Sequence, residues 1–237
     1  MVDSSLDLQM NRAQLLVHLA HLINKVTCAH PLRVAVDGVD AAGKTTLAHE
    51  LSLKLGEMGR VVILSTIDGF HNPRSIRYRR GPMSPEGYFH DSFDYRSITS
   101  RLLIPLGQDG DRCYQTAVFD YRSDQIVKVP VLRAPDDAVL LLDGIFLQRP
   151  ELAGFWDFCL FVDATVETAL ERATIRYTST NGRDHQSADV ADLRKRYMLR
   201  YIPAQQDYLR SCHPKAMANV VIDNNDLTRP FISHTRI

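Results

Sequence analysis

Apolar runs and amphipathic stretches alternate along the 237-residue chain. Short runs rich in Val, Leu and Ile predict buried strands at 33–37, 60–65, 138–144, 157–162 and 220–222. Apolar residues spaced three and four apart predict helices at 6–28, 46–56, 92–103, 165–178 and 189–209. Strands that alternate with helices predict an α/β fold, in which a parallel sheet is flanked by helices on both faces.

The segment between the second and third predicted strands has a different composition. Residues 69–90 are rich in Gly, Pro, Arg and aromatic residues, which is typical of a long functional loop. Short strands are predicted at 116–119 and 125–131. We therefore expect the region 69–131 to form insertions into the sheet that shape a binding site.

Composition excludes several classes of protein. Hydrophobic residues make up 45% of the chain, and 28 basic residues balance 28 acidic ones, so no overall positive field favours nucleic acid or a membrane surface. No apolar run approaches the length of a membrane span, and the N-terminus lacks a signal-peptide pattern. The four scattered cysteines show no metal-ligand spacing. We expect a cytoplasmic protein with reduced thiols.

One motif predicts a specific chemical function. Residues 38–45 read G-x-x-x-x-G-K-T, directly between a predicted strand and a predicted helix, which is the phosphate-binding loop (P-loop) pattern. Its backbone N–H groups would surround the phosphates of ATP, Lys44 would reach the β- and γ-phosphates, and Thr45 would bind Mg²⁺. Asp40 is expected to shape the loop, and Asp37 is left open. The predicted nucleotide-binding residues are Gly38, Asp40, Ala41, Ala42, Gly43, Lys44, Thr45 and Thr46.

Two carboxylates follow predicted strands. Asp68 comes after the second strand and Asp143 ends the third, so both should lie at the carboxyl edge of the sheet beside the triphosphate. Phosphoryl transfer needs one group that accepts the proton of the attacking hydroxyl and one that supports Mg²⁺. We predict Asp68 as the base and Asp143 as the metal-supporting residue, although the two roles could be exchanged.

Arginines are concentrated in two places. The segment 74–80 holds four of them and is interpreted as a solvated loop, as an arm over the acceptor or as a subunit contact. Arg172 and Arg176 lie four apart on a predicted helix, and Arg183 follows in a Gly-containing turn. These three are predicted to belong to a lid at 172–190 that closes over the phosphates.

Aromatic residues cluster near the predicted insertions and could stack on an acceptor, although core packing would explain some of them equally well. The predicted acceptor-binding residues are Asp68, Phe70, Tyr88, Phe119 and Tyr121.

With these motifs in order, residues 32–226 resemble the uridine kinase and phosphoribulokinase-like group of P-loop kinases. Asp68-Gly69-Phe70 resembles the family's D-S-F-Y, whose Asp is the catalytic base. Phe119-Asp120-Tyr121 resembles Y-D-F of the nucleoside pocket, and Asp143-Gly144-Ile145 resembles E-G-I. The lid arginines and the stretch 215–222 also match. The resemblance implies a P-loop NTPase fold with a helical lid, as a single domain over 1–237 with its core at 30–226.

The chain departs from this family in the pocket. Arg122-Ser123-Asp124 stands where the family carries a His that reads the pyrimidine, and Gly87 stands where it carries a ribose-binding Asp. The resemblance implies an ATP- and Mg²⁺-dependent kinase that phosphorylates a hydroxyl of a nucleoside such as uridine or cytidine. The departures favour an alternative acceptor: pantothenate, nicotinamide riboside or a sugar.

A nucleotide-sensing regulator without catalysis is the remaining hypothesis, although the chain lacks the N-K-x-D motif of GTPases. The expected partners are ATP and a small-molecule acceptor, with no nucleic acid and no membrane. The oligomeric state is left open, with a homo-oligomer as one alternative.

Overall fold

A computed structural model describes residues 10–181 and 187–236, and its centre is a six-stranded sheet. The strands are β1 (Leu32–Gly38), β2 (Val62–Thr66), β3 (Cys113–Tyr114), β4 (Phe119–Asp120), β5 (Gln125–Ile126), β6 (Leu132–Arg133), β7 (Val139–Asp143), β8 (Phe158–Asp163), β9 (Val220–Asp223) and β10 (Phe231–Thr235). The sheet order is β10-β9-β8-β1-β7-β2, with β10 antiparallel to β9 and the other pairings parallel. The predicted α/β class is confirmed.

Helices connect the strands and cover both faces of the sheet. They are α1 (Arg12–Lys25), α2 (Lys44–Glu57), α3 (Arg74–Arg77), α4 (Pro85–Asp91), α5 (Tyr95–Ile98), α6 (Pro150–Ala153), α7 (Val166–Asn181), α8 (Ser187–Arg196), α9 (Ile202–Cys212) and α10 (Pro214–Met217). A 3₁₀ turn spans Ile67–Phe70, and π-helical turns span Thr99–Leu103 and Tyr197–Tyr201.

The core has two layers because alternate residues of each central strand point to opposite faces. Val34 and Val36 of β1 pack in one layer, together with buried leucines of α1 and α2 such as Leu19 and Leu51. Ala35, between the two valines, packs in the other layer with residues of the central insertion and of α9. The near-continuous apolar strands predicted from the sequence are therefore covered on both sides.

The central insertion is more ordered than its composition predicts. Residues 69–90, expected to be a long loop, contain α3 and α4, and the predicted helix at 92–103 divides into α5 and a π-helical turn. The strands predicted at 116–119 and 125–131 are reduced to the two-residue pair β4 and β5. Ser84 explains the start of α4, because its side chain accepts a hydrogen bond from Gly87 N–H and Pro85 follows at the first helical position.

The described residues of the predicted lid lie in α7 and α8, which follow β8. α7 carries Arg172 and Arg176, and α8 leads through the π-helical turn into α9. Arg183 lies outside the described residues. Among the helices that the structure describes, none has the length and apolar character required to cross a membrane.

Candidate active site

The P-loop connects β1 to α2 at the carboxyl edge of the sheet. Gly38 has φ of 150° and Gly43 has φ of 95°, conformations that favour glycine. Both are also closely packed, because an added Cβ would lie 2.1 Å from the Val162 carbonyl oxygen at position 38 and 2.7 Å from Asn224 Nδ2 at position 43. The two glycines of the motif are therefore required by the geometry of the loop.

A cleft of about 610 Å³ opens above this loop. Six of the predicted nucleotide-binding residues line it, and the other two, Gly38 and Ala42, are buried in the loop backbone. The lining residues are Asp40, Ala41, Gly43, Lys44, Thr45 and Thr46. In this structure Lys44 Nζ donates a 2.7 Å hydrogen bond to the Val39 carbonyl, so its ammonium group already lies across the loop.

Asp143 lies beside Thr45 at the end of β7. Thr45 Oγ1 donates a hydrogen bond of 2.6 Å to Asp143 Oδ2. Burial raises the pKa of Asp143, and this effect is opposed by the Thr45 hydrogen bond and by the charge of Lys44. A hydroxyl and a carboxylate of this kind are the hard oxygen ligands and water-binding groups that Mg²⁺ prefers, so the residues fit the predicted ion.

Strand register brings Asp68 to the same edge. Thr66, the last residue of β2, pairs with Asp143, and Asp68 follows two residues later. The Asp68 side chain is 54% exposed to the cleft. The two carboxylates predicted at neighbouring strand ends thus line one cleft together with the P-loop.

His71 contacts Asp68, with Nε2 3.3 Å from Asp68 Oδ1. The other ring nitrogen, Nδ1, lies 3.0 Å from the Ser92 carbonyl oxygen, and since a carbonyl only accepts, Nδ1 carries a hydrogen. Desolvation by the cleft walls raises the pKa of Asp68, but the hydrogen bond and charge of His71, with Lys44 and Arg176, outweigh it and lower the pKa. Asp68 is therefore held ionised and oriented.

Asp40 makes several hydrogen bonds that fix the conformation of the P-loop. Its carboxylate accepts a 3.0 Å bond from the Tyr88 hydroxyl and a 3.2 Å bond from Gln205 Nε2, and its backbone N–H donates to Gln205 Oε1. Burial raises the pKa of Asp40, although Lys44 opposes the shift. Tyr88 thus lines the cleft as predicted while it ties the insertion to the P-loop.

Two of the predicted acceptor-binding residues do not line the cleft. Phe70 is completely buried in the core layer beneath the cleft, because it closes the 3₁₀ turn that presents Asp68. Phe119 is only 6% exposed and does not line the cleft. Tyr121, two residues on, does line it, and its ring lies 4.8 Å from that of His71.

Arg172 and Arg176 of α7 line the cleft as predicted. Arg172 Nη2 donates 2.8 Å hydrogen bonds to the carbonyls of Asn224 and Asn225, which fixes this arginine against the loop after β9. Burial and the nearby charge of Arg12 lower the pKa of Arg172. Both arginines would oppose the charge of a bound triphosphate.

Asp37, whose role the sequence did not decide, is a buried structural residue. It is fully buried and accepts hydrogen bonds from Gly38 N–H, Gln148 Nε2 and the Tyr208 hydroxyl. These bonds join the end of β1 to the segment after β7 and to α9. Asp37 therefore anchors the base of the P-loop and does not reach the cleft.

The chain is similar in sequence to proteins named as kinases. The chain is 31% identical over 156 residues to a pantothenate kinase of Limosilactobacillus reuteri, and this match covers 61% of the chain and 49% of that protein. It is 26% identical over 195 residues to uridine kinase-like protein 3 of Arabidopsis thaliana, covering 81% of the chain and 39% of that protein. No family model matches the chain.

A solved structure from Bacillus stearothermophilus, described as a possible uridine kinase, superposes with a TM-score of 0.68 at 24% identity, covering 87% of this chain and 96% of that one. The chain has the fold of the P-loop kinases. The predicted resemblance to the uridine kinase-like group is confirmed. The chain spans about half the length of the curated relatives first matched.

Sequence reasoning missed several residues in and beside this cleft. His71 had a signal, since it follows Asp68 by three residues in a turn, but it was not assigned a role. Arg196, Arg200 and Gln205 follow the predicted lid in the chain, and only the fold brings them to the P-loop and the insertion.

Proposed function

We propose that the protein is an ATP-dependent kinase that transfers the γ-phosphoryl group to a hydroxyl of a small molecule. The observation that carries this proposal is the convergence of the P-loop, Asp143 and Asp68 on one cleft at the carboxyl edge of the sheet. A nucleotide-sensing regulator would have no use for the exposed carboxylate that His71 orients beside the loop.

Each residue has a role in this mechanism. Lys44 would leave the Val39 carbonyl and bind the β- and γ-phosphates. Asp68 would orient the acceptor hydroxyl and accept its proton as the phosphoryl group is transferred. His71 is a positioning residue, because its Nδ1–H bond to Ser92 directs Nε2 toward Asp68.

Thr45 and Asp143 would hold Mg²⁺, Asp143 directly or through water. When bound, Mg²⁺ neutralises charge on the β- and γ-phosphate oxygens. Arg172, Arg176 and Arg183 would add positive charge around the phosphoryl group during transfer, and lid closure would exclude water that competes with the acceptor.

The comparisons support two classes of acceptor. Relatives named pantothenate kinase and uridine kinase-like protein match the chain at comparable identity. The nucleosides uridine and cytidine are uncharged, whereas pantothenate carries a carboxylate. We propose that the acceptor belongs to one of these classes or to the related alternatives, nicotinamide riboside and sugars.

The test separates ATP binding from transfer. With uridine, cytidine, pantothenate, nicotinamide riboside and sugars as acceptors, ADP release by the wild type identifies the substrate. Asp68→Asn should then lower kcat by about 100-fold or more, since general-base contributions are of that order. ATP affinity, measured by calorimetry with magnesium, should stay within about threefold.

The matched control is Asp137→Asn, which removes an exposed carboxylate that precedes β7 and does not line the cleft. It should leave both turnover and ATP affinity unchanged. Wild-type turnover in Asp68→Asn would remove Asp68 from the mechanism. A wild-type protein that binds no ATP at all would end the kinase proposal.

A further inference from the structure

Four arginines line the part of the cleft that the central insertion forms. Arg74 and Arg77 lie on α3, Arg122 follows β4, and Arg200 approaches from the π-helical turn after α8. The guanidinium carbons of Arg74, Arg77 and Arg200 lie 5.6, 5.5 and 4.9 Å from the centre of the Tyr78 ring. We refer to these four as the acceptor-side arginines.

The arginines of α3 and the turn after it divide into two pairs. Arg79 and Arg80 both bind the buried carboxylate of Asp91, and neither lines the cleft. Arg74 and Arg77 face the cleft instead. Asp91 therefore holds two of the four guanidinium groups in this segment outside the cleft, and the other two line it.

The acceptor-side arginines carry more positive charge than nearby acids neutralise. Within the described part of the chain, their one salt bridge joins Arg77 Nη2 to Asp124 Oδ1 at 3.2 Å. Arg200 donates to backbone carbonyls of residues 77, 81, 82 and 84, which offset its desolvation but carry no full charge. Grouping guanidinium ions in a partly desolvated cleft is costly unless an anion joins them.

Arg77 supplies a second, independent indication of an anion-binding site. Its side chain is 10% exposed, and its buried Nε has no hydrogen-bond partner among the described residues. Such unpaired buried donors are rare in folded proteins and call for an explanation. A carboxylate or phosphate could accept from Nε and a terminal nitrogen together, in the paired geometry that guanidinium favours.

A short series of contacts connects this cluster to the proposed base. Asp68 lies 3.3 Å from His71, the His71 ring lies 4.8 Å from that of Tyr121, and the Tyr121 carbonyl accepts from Arg77 Nη2 at 3.3 Å. A small molecule could therefore present a hydroxyl to Asp68 and an anionic group to Arg77 at the same time. The phosphates of ATP, by contrast, would lie at the P-loop with Lys44.

Resting on the proposed kinase function, we infer that the acceptor is an anion: a hydroxyl compound that also carries a carboxylate or phosphate, bound by Arg74 and Arg77. An uncharged nucleoside would leave these charges unmatched. The inference separates the two acceptor classes, because it favours an acid such as pantothenate or a phosphorylated sugar over uridine or cytidine.

A first experiment measures anion binding without knowledge of the acceptor. The protein is saturated with magnesium and a non-hydrolysable ATP analogue, so that the P-loop is filled, and is titrated with inorganic phosphate in a calorimeter. We expect one additional site, weakened at least tenfold in both Arg77→Gln and Arg74→Gln. Arg74 is exposed, so its replacement leaves the packing of α3 intact.

Arg79→Gln is the matched control, because it removes the same charge from the same segment outside the cleft, and Arg80 still binds Asp91. It should bind phosphate like the wild type. Absence of a second site in the nucleotide-loaded wild type, or equal weakening in all three variants, overturns the inference. Failure of the nucleotide analogue itself to bind contradicts the kinase function instead.

A second experiment identifies the anionic group. Pantothenate is compared with its neutral alcohol panthenol, and ribose 5-phosphate with ribose, by ADP release. We expect one charged member to exceed its neutral partner at least tenfold in kcat/KM, and Arg74→Gln to raise its KM with little effect on kcat. Preference for pantothenate indicates a carboxylate, and preference for ribose 5-phosphate a phosphate. Equal or better turnover of the neutral compounds, or of uridine, overturns the inference.

Discussion

The hydroxyl of Thr45 donates a 2.6 Å hydrogen bond to the carboxylate of Asp143. The two residues are far apart in sequence, and the pairing of β1 with β7 brings them together, since Val36 lies opposite Asp143 in the register. Thr45 ends the P-loop and lies in the first turn of α2, so the bond joins the helix to the end of the neighbouring strand. This contact defines the predicted magnesium site.

Asp143→Ala is expected to raise the magnesium concentration required for half-maximal turnover and to lower kcat by about 10- to 100-fold, the range typical for residues that orient a metal and its ligands. Asp143→Glu keeps a carboxylate at this position, so its kcat should fall less. The measurement is ADP release against magnesium concentration. Unchanged magnesium dependence in Asp143→Ala would place the ion elsewhere.

Local sequence signals were sufficient for the sheet and for the P-loop. The strands β1, β7 and β8 are nearly continuous apolar runs. Such short runs are typical of a parallel sheet that is covered on both faces. β10 escaped prediction because it is an edge strand with mostly exposed residues, so its sequence lacks the buried pattern. Its place depends on pairing with β9.

The acceptor side of the cleft could be predicted only in part. Aromatic residues were expected to contact the acceptor, but the sequence does not distinguish Phe119, which is buried, from Tyr121, which lines the cleft. The division of the arginines between Asp91 and the cleft also depends on tertiary contacts. Propensity and spacing describe a segment, whereas the direction of a side chain depends on what the rest of the chain packs against it.

The Tyr208 hydroxyl donates to the buried carboxylate of Asp37, so its removal should destabilise the fold. Tyr208→Phe is expected to lower the free energy of unfolding by about 1–3 kcal/mol, because it removes a hydrogen-bond partner from a fully buried group. Because Asp37 also accepts from Gly38 N–H, ATP affinity should fall as well. Urea unfolding and calorimetry measure the two effects.

Tyr114→Phe serves as the control for this variant. Tyr114 is also buried, but no hydrogen bond of its hydroxyl is found among the described residues, so the substitution should change stability by less than about 0.5 kcal/mol. Equal stability losses in Tyr208→Phe and Tyr114→Phe would show that the Asp37 contact contributes nothing specific.

Asp91 makes stability depend on pH in the acid range. Hydrogen bonds from Arg79 and Arg80 lower the pKa of Asp91 despite its burial. A carboxyl with a lowered folded-state pKa contributes stability that is present above its unfolded value, about 3.9, and is lost as the pH falls through the folded value. Asp91→Asn should therefore cost about 1.5–3 kcal/mol at neutral pH.

The expected result is a difference between wild type and Asp91→Asn that is constant from pH 7 to about 5 and shrinks as the pH falls below about 4. Urea unfolding at each pH gives the free energies, and Asp137→Asn, an exposed carboxylate, is the control. A difference that persists undiminished at pH 3 would mean that the charge of Asp91 is not what stabilises this segment.

Gly38 is the position in the P-loop where a single methyl group should be least tolerated. Its φ of 150° and the 2.1 Å approach of an added Cβ to the Val162 carbonyl oxygen mean that the backbone of β8 would have to move. Gly38→Ala is expected to lower the free energy of unfolding by at least about 3 kcal/mol and to abolish ATP binding.

The comparison variant is Gly56→Ala, near the end of α2, where no atom lies within 4 Å of the added methyl group. This substitution should stabilise the protein by about 0.5–1 kcal/mol, because alanine loses less backbone freedom than glycine in a helix. Urea unfolding of both variants tests the pair. If Gly38→Ala were as stable as Gly56→Ala and still bound ATP, the P-loop could not pack against β8 as closely as described.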